Sequence, residues 1–231
     1  MFVFLHSLLE HATIFRVPSD SRTLPFMFGI SKITDCLYLC SQTPVHNENL
    51  KKHQITCVID ATEFGNPSYA GVDYMKIVIA DYERAPIKDH FETVCRKIHE
   101  HKTKGGRTLV HCLMGKSRSA TLCIAFLMRC ENQTLRDAYI TVYTARPIIQ
   151  PNIGFWRQLL AFELELFGQN TVEIKDNRHK YPPEIPDVVE ECREKRMAKI
   201  HEEIKAQSHV TSHKTTVSGK PKDDNIAKND S

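Results

Sequence analysis

Between residues 28 and 168, short apolar runs alternate with longer stretches of helical spacing. Ser31-Lys-Ile and Cys36-Leu-Tyr-Leu read as two short strands around a Thr-Asp turn. Ile55-Thr-Cys-Val-Ile is a continuous apolar run, as in a strand buried on both faces. Tyr74-Met-Lys-Ile-Val-Ile is another, ending at Ala80-Asp81, and Thr108-Leu-Val is a third. The helical stretches fall between them. Ser41 to His53 is polar with a cap expected at Ser41 or Thr43; Ile87, Phe91, Val94, Cys95 and Ile98 recur at helical spacing up to Gly105-Gly106. A pattern that is apolar almost all round runs from Ser119 to Cys130 and predicts a buried central helix. Thr134 caps a helix to Ala145, and Asn152 caps one whose inner face is Phe155, Leu159, Phe162 and Leu166. Strands alternating with helices predict an α/β fold, a central mostly parallel, mixed sheet flanked by helices.

The pattern weakens on both sides. Residues 1–27 read as an N-terminal extension with one helical turn around His6–Ala12. Residues 169–207 read as an extended connector, Tyr181 to Asp187, and a charged helix from Val188 to Gln207. Residues 208–231 are polar and Lys-rich, the composition of a disordered tail. The catalytic domain is therefore expected at 28–168.

Composition changes this picture little. The chain has 231 residues, 41% hydrophobic and 26% charged, with a formal net charge of +3. So small a charge gives no reason to expect nucleic-acid binding. No apolar run reaches the roughly 18 residues of a membrane span, so no integral membrane segment is expected. The apolar start lacks a basic leader, Phe2 argues against myristoylation, and Arg16 and Arg22 give a weak mitochondrial alternative. The eight cysteines lack paired C-x-x-C spacing, and Cys57, Cys95 and Cys123 sit in apolar surroundings. No zinc site, metal or cofactor is expected. A reactive thiolate needs a reducing compartment, which argues for the cytoplasm or nucleus.

Candidate chemistry gathers in Val110-His-Cys-Leu-Met-Gly-Lys-Ser-Arg-Ser119. A tight loop between a strand and a helix turns successive backbone N–H groups inward as an anion cup, and the helix adds its positive end. Arg118 supplies a planar cation matched to phosphate oxygens. Cys112 sits where these positive groups converge, surroundings that favour a thiolate nucleophile. Gly115 permits the backbone turn.

His111 to Ser119 matches the H-C-x5-R-S signature and resembles the protein tyrosine phosphatase superfamily. Ser117-Arg-Ser-Ala120, the segment Gly29 to Leu39, Ala80-Asp81 and the segment Arg146 to Trp156 resemble its small atypical dual-specificity phosphatases. The resemblance implies a protein tyrosine phosphatase-like fold. It also implies hydrolysis of phosphotyrosine and phosphoserine or phosphothreonine in phosphorylated protein substrates, by a phosphocysteine mechanism. Cys112 is then the nucleophile. Leu113, Met114, Gly115, Lys116, Ser117 and Arg118 bind phosphate. Ser119 assists thiolate departure or is a helix cap; His111 orders the loop and tunes the thiolate through hydrogen bonds. Asp81 is the general acid, with Glu83 the alternative, on a loop that departs from relatives at Tyr82-Glu-Arg-Ala-Pro86. Asn152 braces the phosphate loop, or simply caps its helix. Two other readings remain: a phosphoprotein-binding module with little turnover, and a phosphatase for a non-protein ester such as a phosphoinositide. Superfamily lipid phosphatases carry basic residues at the second and fifth loop positions. Here these are Leu113 and Lys116, so only the fifth is basic.

Overall fold

The computed structural model describes residues 29–65, 67–177 and 182–214. The helical turn expected around His6–Ala12 and the end of the polar tail lie outside the described residues. By contacts the chain divides into two compact units, Met1–Val188 and Val189–Ser231.

The first unit is built on a five-stranded sheet. Its strands are β1 (Ser31–Lys32), β2 (Leu37–Cys40), β3 (Cys57–Asp60), β4 (Asp73–Lys76) and β5 (Thr108–His111), in the order β1-β2-β5-β3-β4. Only β1 runs antiparallel, so the mixed, mostly parallel sheet expected from the alternating pattern is present. The register aligns Cys40, His111, Asp60 and Lys76 in one row across the carboxyl edge. Open α/β sheets bind ligands beyond that edge.

Helices cover the sheet: α1 (Asn47–Lys52), α2 (Phe91–Thr103, after a 3-10 turn Ile87–His90), α3 (Arg118–Glu131), α4 (Leu135–Ala145) and α5 (Ile153–Phe167). Every residue of α3 from Arg118 to Met128 is buried, as its apolar composition requires. Successive strand side chains alternate between faces. Tyr38, Cys40, Val58 and Leu109 therefore share one face, packed with Leu50 of α1 and Ile55.

The caps at Thr134 and Asn152 form as expected, each side chain accepting an N–H three residues on. The cap expected at Ser41 or Thr43 does not form. α1 starts later, after His46, which makes no side-chain cap bond. β4 ends at Lys76, short of the expected Ile79. Beyond it the Ile77 N–H still reaches the Asp60 carbonyl, after which the chain turns towards the phosphate loop.

The connector contains an antiparallel pair that its composition concealed, β6 (Ile174–Asp176) with β7 (Glu184–Pro186). A long helix α6 follows, Asp187–Lys214, which runs past the expected end at Gln207 into the stretch assigned to the tail. In the second unit, Lys195 pairs with Glu191 one turn earlier at 2.6 Å. Among the described residues, no helix is long and apolar enough to cross a membrane.

Candidate active site

The loop between β5 and α3 is held in shape from outside. The carbonyls of four consecutive residues each meet a donor. Gln42 N–H reaches Leu113 O (3.2 Å), Arg146 reaches Met114 O (3.3 Å) and Gly115 O (2.8 Å), and Gln150 N–H reaches Lys116 O (2.8 Å). In a trans peptide the carbonyl and the next N–H point in opposite directions. The N–H groups of Met114, Gly115, Lys116 and Ser117 therefore point to the inner side, forming the cup expected from the loop.

Gly115 has φ +64°, and a Cβ there would lie 2.4 Å from the Cys40 carbonyl oxygen. Both the left-handed backbone and the close approach to β2 demand glycine.

Cys112 lies at the floor, 1% exposed. Its Sγ accepts the Gly115 N–H at 3.3 Å and the Ser119 hydroxyl at 3.1 Å. Ser119 is thus inside the helix with its hydroxyl on the sulfur. The helix-cap alternative is excluded, since the position before α3 belongs to Ser117. Arg118 is also buried. One terminal nitrogen donates to the Ile79 carbonyl at 3.1 Å and lies 3.8 Å from the Glu63 carboxylate. Its Nε is buried without a hydrogen-bond partner, 3.7 Å from Asp81 Oδ2. A buried cationic donor left unmet is costly unless an anion completes it.

Asp81 is brought to the same cup. Its Oδ1 accepts the Ser117 hydroxyl at 2.6 Å and the Asn152 side-chain amide at 3.0 Å. Asn152 both caps α5 and holds Asp81, while its own N–H reaches Ser117 Oγ at 3.3 Å. The side chain therefore caps the helix and holds the acid loop, while its contact with the phosphate loop is made by the backbone N–H. Glu83 points elsewhere, its carboxylate 62% exposed and 3.9 Å from Arg157.

The Asp81–Pro86 loop is pinned to α5. Gln158 donates to the Ala85 carbonyl at 2.8 Å and accepts the Lys88 N–H at 2.9 Å. A Cβ on Gly154 would fall 1.9 Å from the Glu83 carbonyl oxygen.

His111 is buried, and neither ring nitrogen has a hydrogen-bond partner among the described residues. The ring thus makes no well-formed hydrogen bond to the loop, although the Cys112 backbone lies close enough to act on its protonation. The nearest charge is Asp60 Oδ1 at 3.8 Å. Burial holds the imidazole below its ordinary titration range, against the upward pull of Asp60 and of the Cys112 backbone. Burial pushes the Asp60 carboxyl up as well. The Thr62 N–H, His111, Lys76 and Tyr74 together outweigh it and hold Asp60 below its usual range. Thr62 N–H donates to Oδ1 at 2.8 Å, and Tyr74 (2.8 Å) and Lys76 (2.9 Å) donate to Oδ2.

Lys116 is half-buried, with burial and then Arg146 lowering its pKa. Leu113 is exposed on the outer rim.

Two groups here were not singled out in the sequence. Arg146 is wholly buried behind the loop, and the Asp60 cluster sits under His111. Arg146 stood in a quoted segment, but an arginine before a proline reads as a turn. Alternation along β3 and β4 could have placed Asp60, Tyr74 and Lys76 on one face; it could not have named His111 as their neighbour. Among the described residues no group of three or more His, Cys, Asp or Glu side chains is arranged to hold a metal.

Residues 37–165 match the family model described as dual specificity phosphatase, catalytic domain. Human dual specificity protein phosphatase 14 is 44% identical over 159 residues, covering 68% of this chain and 80% of the relative. Human dual specificity protein phosphatase 18 is 40% identical over 163 residues, covering 70% and 87%. The crystal structure of human DUSP28 aligns with a TM-score of 0.57 and 30% identity over 59% of this chain and 94% of that one. A thiol, an arginine and a carboxylate meeting at one loop, on this sheet and with these relatives, leave one conclusion: the chain belongs to the dual specificity phosphatases of the protein tyrosine phosphatase superfamily.

Proposed function

We propose that this chain hydrolyses phosphotyrosine and phosphoserine or phosphothreonine in proteins through a phosphocysteine intermediate. The observation that carries the reading is the convergence at the cup. Cys112 Sγ lies at its floor under two hydrogen bonds, Arg118 Nε is buried and unmet, and Asp81 Oδ2 lies 3.7 Å from it.

Phosphate oxygens take the inward N–H groups of the loop and the free edge of Arg118, which pairs better with the charge spread of the transition state than with the ground state. The Cys112 thiolate attacks phosphorus. The P–S bond forms as the ester P–O bond breaks, and Asp81 gives its proton to the leaving oxygen. Oδ1 is occupied by Ser117 and Asn152, so Oδ2 is the oxygen that carries the proton. Water then attacks phosphorus, Asp81 takes the water's proton, and Cys112 leaves as a thiolate that the Ser119 hydroxyl stabilises.

Relatives named as protein phosphatases support the protein substrate over the binding-module and phosphoinositide readings. None of the eight cysteines is in a disulfide, which supports work in a reducing compartment, the cytoplasm or nucleus.

The test is a panel of phosphotyrosine peptides, phosphothreonine peptides and phosphoinositides, run with wild-type and Cys112→Ser protein. Turnover of both peptide classes, abolished in the variant while vanadate or phosphate still binds, is the expected result. Turnover of phosphoinositides alone would overturn the protein reading, and an active variant would overturn the mechanism.

A further inference from the structure

Away from the cup, two cysteines lie side by side on packed helices. Cys95 is on α2 and only 1% exposed; Cys130 is in the last turn of α3 and half-buried. The Cys130 thiol donates to the Cys95 carbonyl oxygen at 3.9 Å, bringing its sulfur against the backbone that carries the other thiol. That contact places the two thiols close enough to influence one another's protonation. At about 1.5 Å of rise per residue, Cys130 lies roughly 18 Å along α3 from Arg118, so the pair is distinct from the phosphate site.

We propose that Cys95 and Cys130 form a reversible disulfide under peroxide, a redox-modification site that ties α2 to α3. The two thiols are unequal in the way the reaction needs. The hydrogen bond with Cys130 and then burial push Cys95 up, keeping it protonated. The hydrogen bond from Cys95, against burial, and then the Arg129 guanidinium pull Cys130 down; Glu131 and Glu92 oppose this more weakly.

Cys130 is the more accessible of the two, and it is this thiol that loses its proton and is oxidised. Its sulfur attacks hydrogen peroxide, an S–O bond forms, the O–O bond breaks and hydroxide leaves. The Cys95 sulfur, giving up its proton, then attacks the sulfenic sulfur; S–S forms, S–O breaks and water leaves. Two thiols lose two electrons, and one peroxide is reduced to two waters. Cys40, Cys57 and Cys123 are fully buried, and the remaining half-buried thiol, Cys36, meets Thr34 Oγ1 at 3.4 Å.

The experiment uses the full chain carrying Cys112→Ala, so that the catalytic thiol consumes no oxidant, with the wild-type chain alongside. Each is treated with hydrogen peroxide, alkylated and mapped by mass spectrometry without reduction. In both, the dominant cross-link should join the Cys95 and Cys130 peptides and vanish on treatment with a dithiol. Cys130→Ser, with its fold checked by circular dichroism, should lack the link and leave Cys95 fully alkylatable after unfolding. Over-oxidation of Cys130 with Cys95 still a free thiol would overturn the proposal. So would a dominant Cys130–Cys36 link, or oxidation of Cys36 while Cys130 stays reduced.

Discussion

Asp81 presents its two carboxylate oxygens to different groups. Oδ1 takes both neutral donors, Ser117 and Asn152, and Oδ2 is left towards Arg118. That division supports the proposed proton-donor role of Asp81 over Glu83, whose carboxylate faces Arg157. General acid catalysis contributes about 10²–10⁴ in rate, most where the leaving group is a poor one. Asp81→Asn should therefore lower kcat on phosphothreonine peptides by about 10²-fold or more, and much less on an aryl phosphate with an acidic phenol. Glu83→Gln should stay near wild type on both. Steady-state rates across pH check this; an equal loss in Glu83→Gln would move the acid. That Asp81 matters was legible from its place at a strand end in a family-like segment. Its partners Ser117 and Asn152 were not, because hydrogen bonds between residues far apart in sequence leave no local periodicity.

At the scale of elements, the phosphate loop is clamped between pieces that sequence reading treats separately. Arg146, following α4, donates to two of its carbonyls, and Gln42, just after β2, donates to a third. The acid loop rests on α5 through Gln158 and the bare backbone of Gly154. Gly154→Ala would put a methyl group 1.9 Å from the Glu83 carbonyl oxygen, so the loop must lift. Overpacking of this kind costs about 1–3 kcal/mol. We expect a lower urea midpoint and a kcat loss that follows Asp81→Asn, while the alkylation rate of Cys112 by iodoacetamide stays near wild type. Equal loss of Cys112 reactivity would mean that the whole cup, not the acid loop, depends on Gly154. Caps and the buried helix α3 were legible because capping and apolar patterning act within one turn of chain. The β6–β7 pair was not, since three-residue strands carry too little pattern.

For the whole molecule, the carboxyl edge of the sheet carries a buried titratable cluster, His111 above Asp60, Lys76 and Tyr74. His111 titrates below its ordinary value because it is buried. Below about pH 6.5 the unfolded chain takes up a proton that the folded chain refuses. Stability is then full above that pH and falls as pH drops towards the folded value, by up to about 1.4 kcal/mol per pH unit. Asp60 is also depressed, so its contribution is lost only at pH values below the ordinary carboxylate range, outside this window. The urea midpoint should drop between pH 7 and pH 5.5, and His111→Asn should flatten that drop. An unchanged slope would show that the imidazole titrates as it does in water.

The amino-acid sequence alone determined the alternation of strands and helices, the strand–loop–helix that holds Cys112 and Arg118, and the nature of the chemistry. All of these are encoded within a few residues, by periodicity, capping and one spacing. Tertiary structure decided the strand order, the carbonyl clamp by Arg146, the cluster under His111 and the delivery of Asp81 to the cup. Each is a contact between distant parts of the chain, and such contacts exist only once burial of the sheet's faces has brought those parts together.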